Sequence, residues 1–251
     1  MLNTLKSRIF QGSQYIGDIK HATINERFRG FPVLCPKNCD GCEKCLNICP
    51  TGAISLNPLS VDIGKCTFCN ECAGVCPSNA IKFSSAYKSA STDRQKLIIT
   101  GDVTPEKFEK TAIEVRREIV KVFGHSLKLR QVSAGGCNGC ETELNACSNV
   151  NFDMGRFGID FVASPKHADG IVITGPITQN MAYASEQCYL SVPDPKIVVL
   201  TGACAISGGV FQNSETLNRE FLSNVKIDLF IPGCPVHPLT FINAILAFIG
   251  K

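Results

Sequence analysis

The residues with most chemistry to offer are the cysteines, fifteen among 251 residues, and their spacing is regular. Cys39, Cys42, Cys45 and Cys49 are followed by Pro50, and Cys66, Cys69, Cys72 and Cys76 by Pro77, so one pattern, C-x2-C-x2-C-x3-C-P, occurs twice. The tails repeat as well, Pro50-Thr51-Gly52-Ala53-Ile54 against Pro77-Ser78-Asn79-Ala80-Ile81, which marks an internal duplication. Thiolates in such numbers suit zinc or an iron–sulfur centre. Zinc is satisfied by four ligands. Eight thiolates with both closing prolines follow instead the rule for a pair of [4Fe–4S] clusters, where three closely spaced cysteines hold one cubane and the fourth reaches across to the other. The spacing therefore assigns Cys39, Cys42, Cys45 and Cys76 to one cluster, and Cys66, Cys69, Cys72 and Cys49 to a second.

After a cysteine-free stretch from Pro77 to Gly136, a second zone holds Cys137-Asn-Gly-Cys140, Cys204 in Thr201-Gly-Ala-Cys, and Cys234 in Pro232-Gly-Cys-Pro235. By spacing alone these are either four ligands of a third cluster or a redox C-x2-C pair beside two unrelated cysteines. The elements that would position them favour convergence. Leu127 to Val132 alternates like a strand, Phe161 to Ala163 suggests a short one, and Ile171 to Thr174, Lys196 to Leu200 and Val225 to Ile231 are short apolar runs bounded by Gly or Pro. Such runs alternating with helical segments predict a parallel sheet covered on both faces, a flavodoxin-like doubly wound α/β domain. Cys137, Cys140, Cys204 and Cys234 would all lie just beyond carboxyl ends of strands, where such sheets bind ligands.

The expected organisation is an N-terminal extension over 1–29, a small α+β two-cluster domain over 30–83, a linker with a bridging helix over 84–126, and the α/β domain over 127–251. Ser84 to Lys96 reads as a polar linker. The bridging helix starts at Thr104-Pro105-Glu106, carries an apolar face of Ile113, Val115, Ile119, Val120 and Phe123, and stops at Gly124. Leu239 to Ile249 is too short to span a membrane and reads as a packed C-terminal helix. The first twenty residues show neither a secretory nor a twin-arginine signal, and thiols kept reduced inside the cell read as metal ligands. The formal charge of +3 would be offset by about −6 from three oxidised clusters with their thiolates. No basic block with interleaved aromatics supports nucleic-acid binding.

The duplicated zone resembles bacterial two-cluster ferredoxins. Over residues 128–250, the segments Ala134-Gly-Gly-Cys-Asn-Gly-Cys-Glu-Thr-Glu143, Arg156-Phe-Gly-Ile-Asp160, Ser164-Pro-Lys-His-Ala-Asp169, Thr174-Gly-Pro-Ile-Thr178, Asp194-Pro-Lys196, Gly202-Ala-Cys204, Gly208-Gly209 and Ile231-Pro-Gly-Cys-Pro235 closely resemble the small subunit of [NiFe] hydrogenases. The likeness is to the membrane-associated, energy-converting group that includes formate hydrogenlyases. The cluster subunit of respiratory complex I is related, but it has adjacent cysteines where this chain has Cys137-x-x-Cys140. The resemblance implies that Cys137, Cys140, Cys204 and Cys234 hold the cluster proximal to a nickel site, that the nickel lies in a partner large subunit, and that no catalytic residue belongs to this chain. It further implies additional electron-transfer and membrane subunits, an external carrier such as ferredoxin, and a cytoplasmic place at the inner face of the membrane. A complex I-like quinone or ferredoxin oxidoreductase subunit and a stand-alone ferredoxin-like carrier are the alternatives.

Three cysteines are left over: Cys35, Cys147 and Cys188 read as free thiols, with Cys147 expected on the same helix side as Cys140. Glu141 and Glu143 could relay protons or tune a cluster, or simply sit in a helix's first turn. His167 and His237 are candidates for proton movement, against the commoner structural role of a lone histidine.

Overall fold

A computed structural model describes residues 2–115 and 117–251. Helix α1 (Leu2–Gln11) opens the chain with none of its residues buried. The duplicated zone follows as β1 (Pro32–Leu34), α2 (Lys44–Ile48), β2 (Ile54–Leu56), β3 (Leu59–Asp62), α3 (Glu71–Val75) and β4 (Ile81–Phe83), and β5 (Ile98–Thr100) returns to it. Strand β1 pairs antiparallel with β4, Val33 opposite Lys82, while β2, β3 and β5 form a second antiparallel sheet. The two repeats fold alike. Glu43 and Asn70, each just after a second cysteine, take left-handed backbone at φ 58° and 71°, and a one-turn helix follows, carrying the third cysteine. Non-glycine residues held in that region mark a local constraint.

Helices α4 (Pro105–Ala112) and α5 (Arg117–Phe123) lead into the larger domain. Its elements are β6 (Leu127–Ser133), α6 (Gly139–Ala146), β7 (Ile159–Phe161), β8 (Gly170–Thr174), α7 (Gln179–Ser191), β9 (Ile197–Thr201), α8 (Ala203–Ser207), β10 (Leu229–Ile231) and α9 (Pro238–Phe248). The sheet runs β7-β6-β8-β9-β10, all parallel. Numbered within the domain that order is 2-1-3-4-5, the flavodoxin-like winding expected from the sequence. Strands β8 and β9 are buried along their whole length, which is why they read as unbroken Val/Ile runs. The pleat divides their side chains between two cores. Ile171, Ile173, Val198 and Leu200 pack on one face in a core continuous with Phe31, Ile54, Val61 and Ile81 of the small domain. Val172, Ile197 and Val199 pack on the other against the almost wholly buried α9. The two domains therefore share a hydrophobic core.

Two expectations fail, for one reason. Residues 84–96 are not a loose linker: Ser89, Ala90 and Ser91 are buried, and Ser91 exchanges backbone hydrogen bonds of 2.9 and 2.8 Å with Phe230. The segment is a strap along the β10 edge, covering backbone groups an edge strand would leave open. The strap also breaks the bridging helix. The Ala112 carbonyl accepts from the Thr92 N–H at 3.0 Å and the Ser91 hydroxyl at 2.8 Å, the Thr92 hydroxyl accepts from the Glu114 N–H at 3.1 Å, and Ile113 turns extended. Tertiary hydrogen bonds outcompete the next helical turn. Smaller shifts are that β7 lies at Ile159–Phe161 rather than at 161–163, and that β10 begins only at Leu229, the Asp228 carboxylate rather than a strand carbonyl accepting from the Val198 N–H at 3.0 Å.

Candidate iron–sulfur sites

Each repeat contributes three cysteines to its own cavity and one to its neighbour's. A cavity of about 290 Å³ is lined by Cys39, Cys42, Cys45 and Cys76. Another of about 320 Å³ is lined by Cys66, Cys69, Cys72 and Cys49. The crossing arises locally: Cys49 and Cys76 end their helices in extended backbone at ψ 113° and 108°, so each turns away from the thiols preceding it. The repeated tail then cradles the sulfur. The Ala53 N–H donates to Cys49 Sγ and the Ala80 N–H to Cys76 Sγ, both at 3.3 Å, while Thr51 and Ser78 hydroxyls lie 3.8 and 3.6 Å from the same sulfurs. The Phe68 N–H donates to Cys66 Sγ at 3.2 Å.

Among the described residues no three Cys, His, Asp or Glu side chains gather at the spacing one metal ion requires. Four thiols around a common cavity, too far apart for a single tetrahedral ion and fed by backbone N–H donors, suit a polynuclear iron–sulfur core. Their electrostatics agree. Burial, then neighbouring thiolates, pushes Cys66 up to about 12 and Cys72 up to about 11, and raises Cys45 for the same first reason. At Cys76 burial acts the same way but is outweighed by the Ser78 hydroxyl and the Ala80 N–H, and the thiol is lowered. Bound iron would replace these protons.

The third set comes together from three strand ends. Cys137 lies in the loop after β6, Cys140 in the first turn of α6, Cys204 in α8 just after β9, and Cys234 after β10. Cys140 feels the charges of Cys234 and Cys204, and burial, the larger cause, lifts it to about 12. Cys204, lifted to about 11 by burial, feels Cys234 and Cys137. Glycines make the room: a Cβ on Gly202 would stand 2.6 Å from Cys140 Sγ, and one on Gly209 2.8 Å from Cys204 Sγ. Cys137 and Cys234 are exposed, so the set opens to the surface. The second set neighbours both of the others. Cys45 of the first is an electrostatic neighbour of Cys72 in the second, and Cys69 of the second of Cys234 in the third.

Two neighbours, Arg219 and Arg29, were not legible in the sequence. Arg219 lies among polar residues with no motif, yet its guanidinium donates to four carbonyls: Pro176 and Cys204 at 3.1 Å, Ala205 at 2.7 Å and Ile206 at 3.2 Å. Arg29 donates to the Cys69 carbonyl at 2.7 Å. Glu141 is buried, and its Oε1 accepts from Ser133 at 2.6 Å and Thr174 at 2.7 Å. Those hydroxyls end β6 and β8, positions that a strand-end reading could have flagged.

Glu143 and His237 line a cleft of about 800 Å³ beside Cys234 with Phe28, Arg29 and Phe68. Burial raises the Glu143 carboxyl and lowers the His237 imidazole. His237 also has a structural task, its Nδ1 accepting from the Leu239 N–H at the start of α9. His167 sits in a short 3-10 turn and lines neither cysteine cavity. Cys147 ends α6 rather than continuing it and is buried in the α9 core, so it does not join the third set. Cys35 is exposed and Cys188 half-buried, and neither lines a cysteine cavity.

Among the described residues no helix is long and apolar enough to cross a membrane. The family model described as NADH ubiquinone oxidoreductase, 20 Kd subunit, matches residues 137–248, and a 4Fe-4S dicluster domain matches residues 38–80. The chain is 35% identical to the "Probable membrane-bound hydrogenase subunit mbhJ" of Pyrococcus furiosus over 57% of this chain and 86% of that one. It is 37% identical to formate hydrogenlyase subunit 7 of Escherichia coli over 55% of this chain and 54% of that one. With the NAD(P)H-quinone oxidoreductase subunit K of a Picosynechococcus strain it shares 41% identity over 43% of this chain and 44% of that one. The chain thus spans about half the length of the last two relatives. It is an iron–sulfur electron-transfer protein of the family that unites the 20 kDa subunit of NADH ubiquinone oxidoreductase with hydrogenase small subunits, carrying a 4Fe-4S dicluster domain in front.

Proposed function

We propose that this chain is the electron-transfer subunit of a multisubunit [NiFe] hydrogenase. It would hold three [4Fe–4S] clusters between the nickel site of a partner large subunit and an external carrier such as ferredoxin. Cys39, Cys42, Cys45 and Cys76 hold the first cluster, Cys66, Cys69, Cys72 and Cys49 the second, and Cys137, Cys140, Cys204 and Cys234 the third. Bound there, the clusters supply one-electron transfer. The residues around them do the rest: they space the sites, exclude water and donate to sulfur.

The observation that carries this reading is the gathering of cysteines into two four-cysteine cavities and a third set at the strand ends, with Cys72 an electrostatic neighbour of Cys45 and Cys69 of Cys234. The third set opens to the surface at Cys137 and Cys234, which suits docking of the large subunit there. The first set also reaches the surface at Cys42, which suits a carrier at the other end. The work of the complex would then take place at the inner face of the membrane, through partner subunits.

The identity to quinone oxidoreductase subunits supports a second reading, in which a quinone is the acceptor. The two-residue gap between Cys137 and Cys140 favours the hydrogenase.

Anaerobic purification from the native host, with metal analysis of whatever copurifies, tests both. A nickel-containing large chain and about 12 iron atoms per copy of this chain are expected. A large chain without nickel transfers the reading to quinone chemistry, and isolation as a lone protein leaves a stand-alone carrier.

A further inference from the structure

We infer that Arg219 is the fixed counter-charge of the third cluster and raises its reduction potential. The inference rests on the reading that Cys137, Cys140, Cys204 and Cys234 hold that cluster. The guanidinium binds only neutral oxygens: three carbonyls of α8, one of them that of the ligand residue Cys204, and the Pro176 carbonyl beyond β8. Among the described residues no ion pair of Arg219 with a carboxylate is found. Closing the end of a short helix does not require a charge, and even half-burying a cation without an anion has a cost.

The guanidinium is held at the Cys204 carbonyl, 3.1 Å away, and a Cys204 thiolate, the form a cluster ligand takes, would oppose the burial that lowers the Arg219 pKa. A [4Fe–4S] core with four thiolates carries about −2 when oxidised and gains one more negative charge on reduction. A cation fixed behind one of its ligands attracts the reduced state more strongly, and nearby charge is among the factors that set such potentials. Glu141 is the opposing group. It lies beside Cys140 and also bears on Cys204, and its Oε1 accepts from the Ser133 and Thr174 hydroxyls. The potential of the third cluster is thus set between a half-buried arginine and a buried carboxyl group.

The test is an EPR-monitored redox titration of the full chain, purified anaerobically as wild type, Arg219→Gln and Arg219→Lys, with iron counted in each. In Arg219→Gln the reduced-to-oxidised ratio of the third cluster at fixed poise should fall at least tenfold, a drop of 59 mV or more for one electron. Arg219→Lys keeps the charge but cannot fork over four carbonyls, so it should stay near the wild-type potential even if it melts earlier. An unchanged potential in Arg219→Gln with iron intact overturns the inference, as do equal shifts in the two variants. Should the Gln variant shed the cluster, Arg219→Lys decides: a wild-type potential supports the inference and a tenfold fall overturns it. Wild-type protein with only about 8 iron atoms would instead sink the ligand reading underneath, a failure that the iron count identifies before any titration.

Discussion

Gly202 lies against Cys140: a Cβ on the glycine would stand 2.6 Å from the cysteine sulfur, in a backbone with φ at +92°. Both the contact and the conformation exclude a side chain. Gly202→Ala should displace Cys140 and cost the third cluster, taking iron from about 12 to about 8 atoms per chain. The dicluster signals should survive, because the eight cysteines of the first two sets lie in the small domain and Gly202 and Cys140 in the larger one. Iron and sulfide analysis with EPR checks this, and a full iron complement in the variant would count against the site.

The exchanged fourth ligands make a prediction that single substitutions cannot. Cys76→Ala should remove the cluster of Cys39, Cys42 and Cys45, whose cavity it lines. Adding Cys39→Ala should then cost no further iron, while adding Cys66→Ala should cost about four atoms more. Ligation within each repeat predicts the reverse order, so the iron counts of the two double variants separate the arrangements.

Stability of the iron-free chain should fall in alkali. Burial raises Cys66 and Cys140 to about 12 from an ordinary thiol value of 9.0. A thiol whose folded pKa is raised stabilises the fold while both states are protonated, below about 9, and that contribution is lost as the pH climbs toward the folded value. Urea midpoints of reduced apoprotein should therefore drop between pH 9 and 11, a window read from the same two thiols. Cluster-loaded protein should show much less of this dependence, since its thiolates are already deprotonated. A flat apoprotein profile would contradict the burial of these thiols.

Arg94 and Asp62 fasten the strap to the small domain through paired bonds of 2.9 and 2.6 Å. Both side chains are largely shielded, at 27% and 14% exposure, so the pair escapes most of the screening that weakens surface bridges. Arg94→Met should cost about 1–3 kcal/mol, seen as a lower urea midpoint with unchanged iron content. A neutral substitution would show that β5 and the strap hold without it.

Much of the fold was readable because it depends on near neighbours. The runs Ile171–Thr174 and Ile197–Leu200 had to be buried strands, since no helix of four or five wholly apolar residues would leave a polar face. The grouping of Cys76 with Cys39, Cys42 and Cys45, and of Cys49 with Cys66, Cys69 and Cys72, was likewise legible, because in the C-x2-C-x2-C-x3-C-P pattern the fourth cysteine serves the other cluster. The bridging helix was misread because its periodicity continues past Ala112, while the bonds that stop it come from Ser91 and Thr92, distant in the chain. The strap was misread because polar serines and lysines look like solvent-facing linker until the edge of β10 is present to receive them.

The sequence alone determined which thiols could form the first two sites, since a covalent chain sets the reach from Cys39 to Cys45 and from Cys66 to Cys72 whatever else folds. Only the tertiary structure decided the rest. It draws Cys137, Cys140, Cys204 and Cys234 to neighbouring strand ends, lays Cys69 beside Cys234 and places Arg219 behind Cys204. These relations join residues tens of positions apart, and they exist because parallel strands must bury both faces. Burying them brings their carboxyl ends, and whatever follows each, to a common edge.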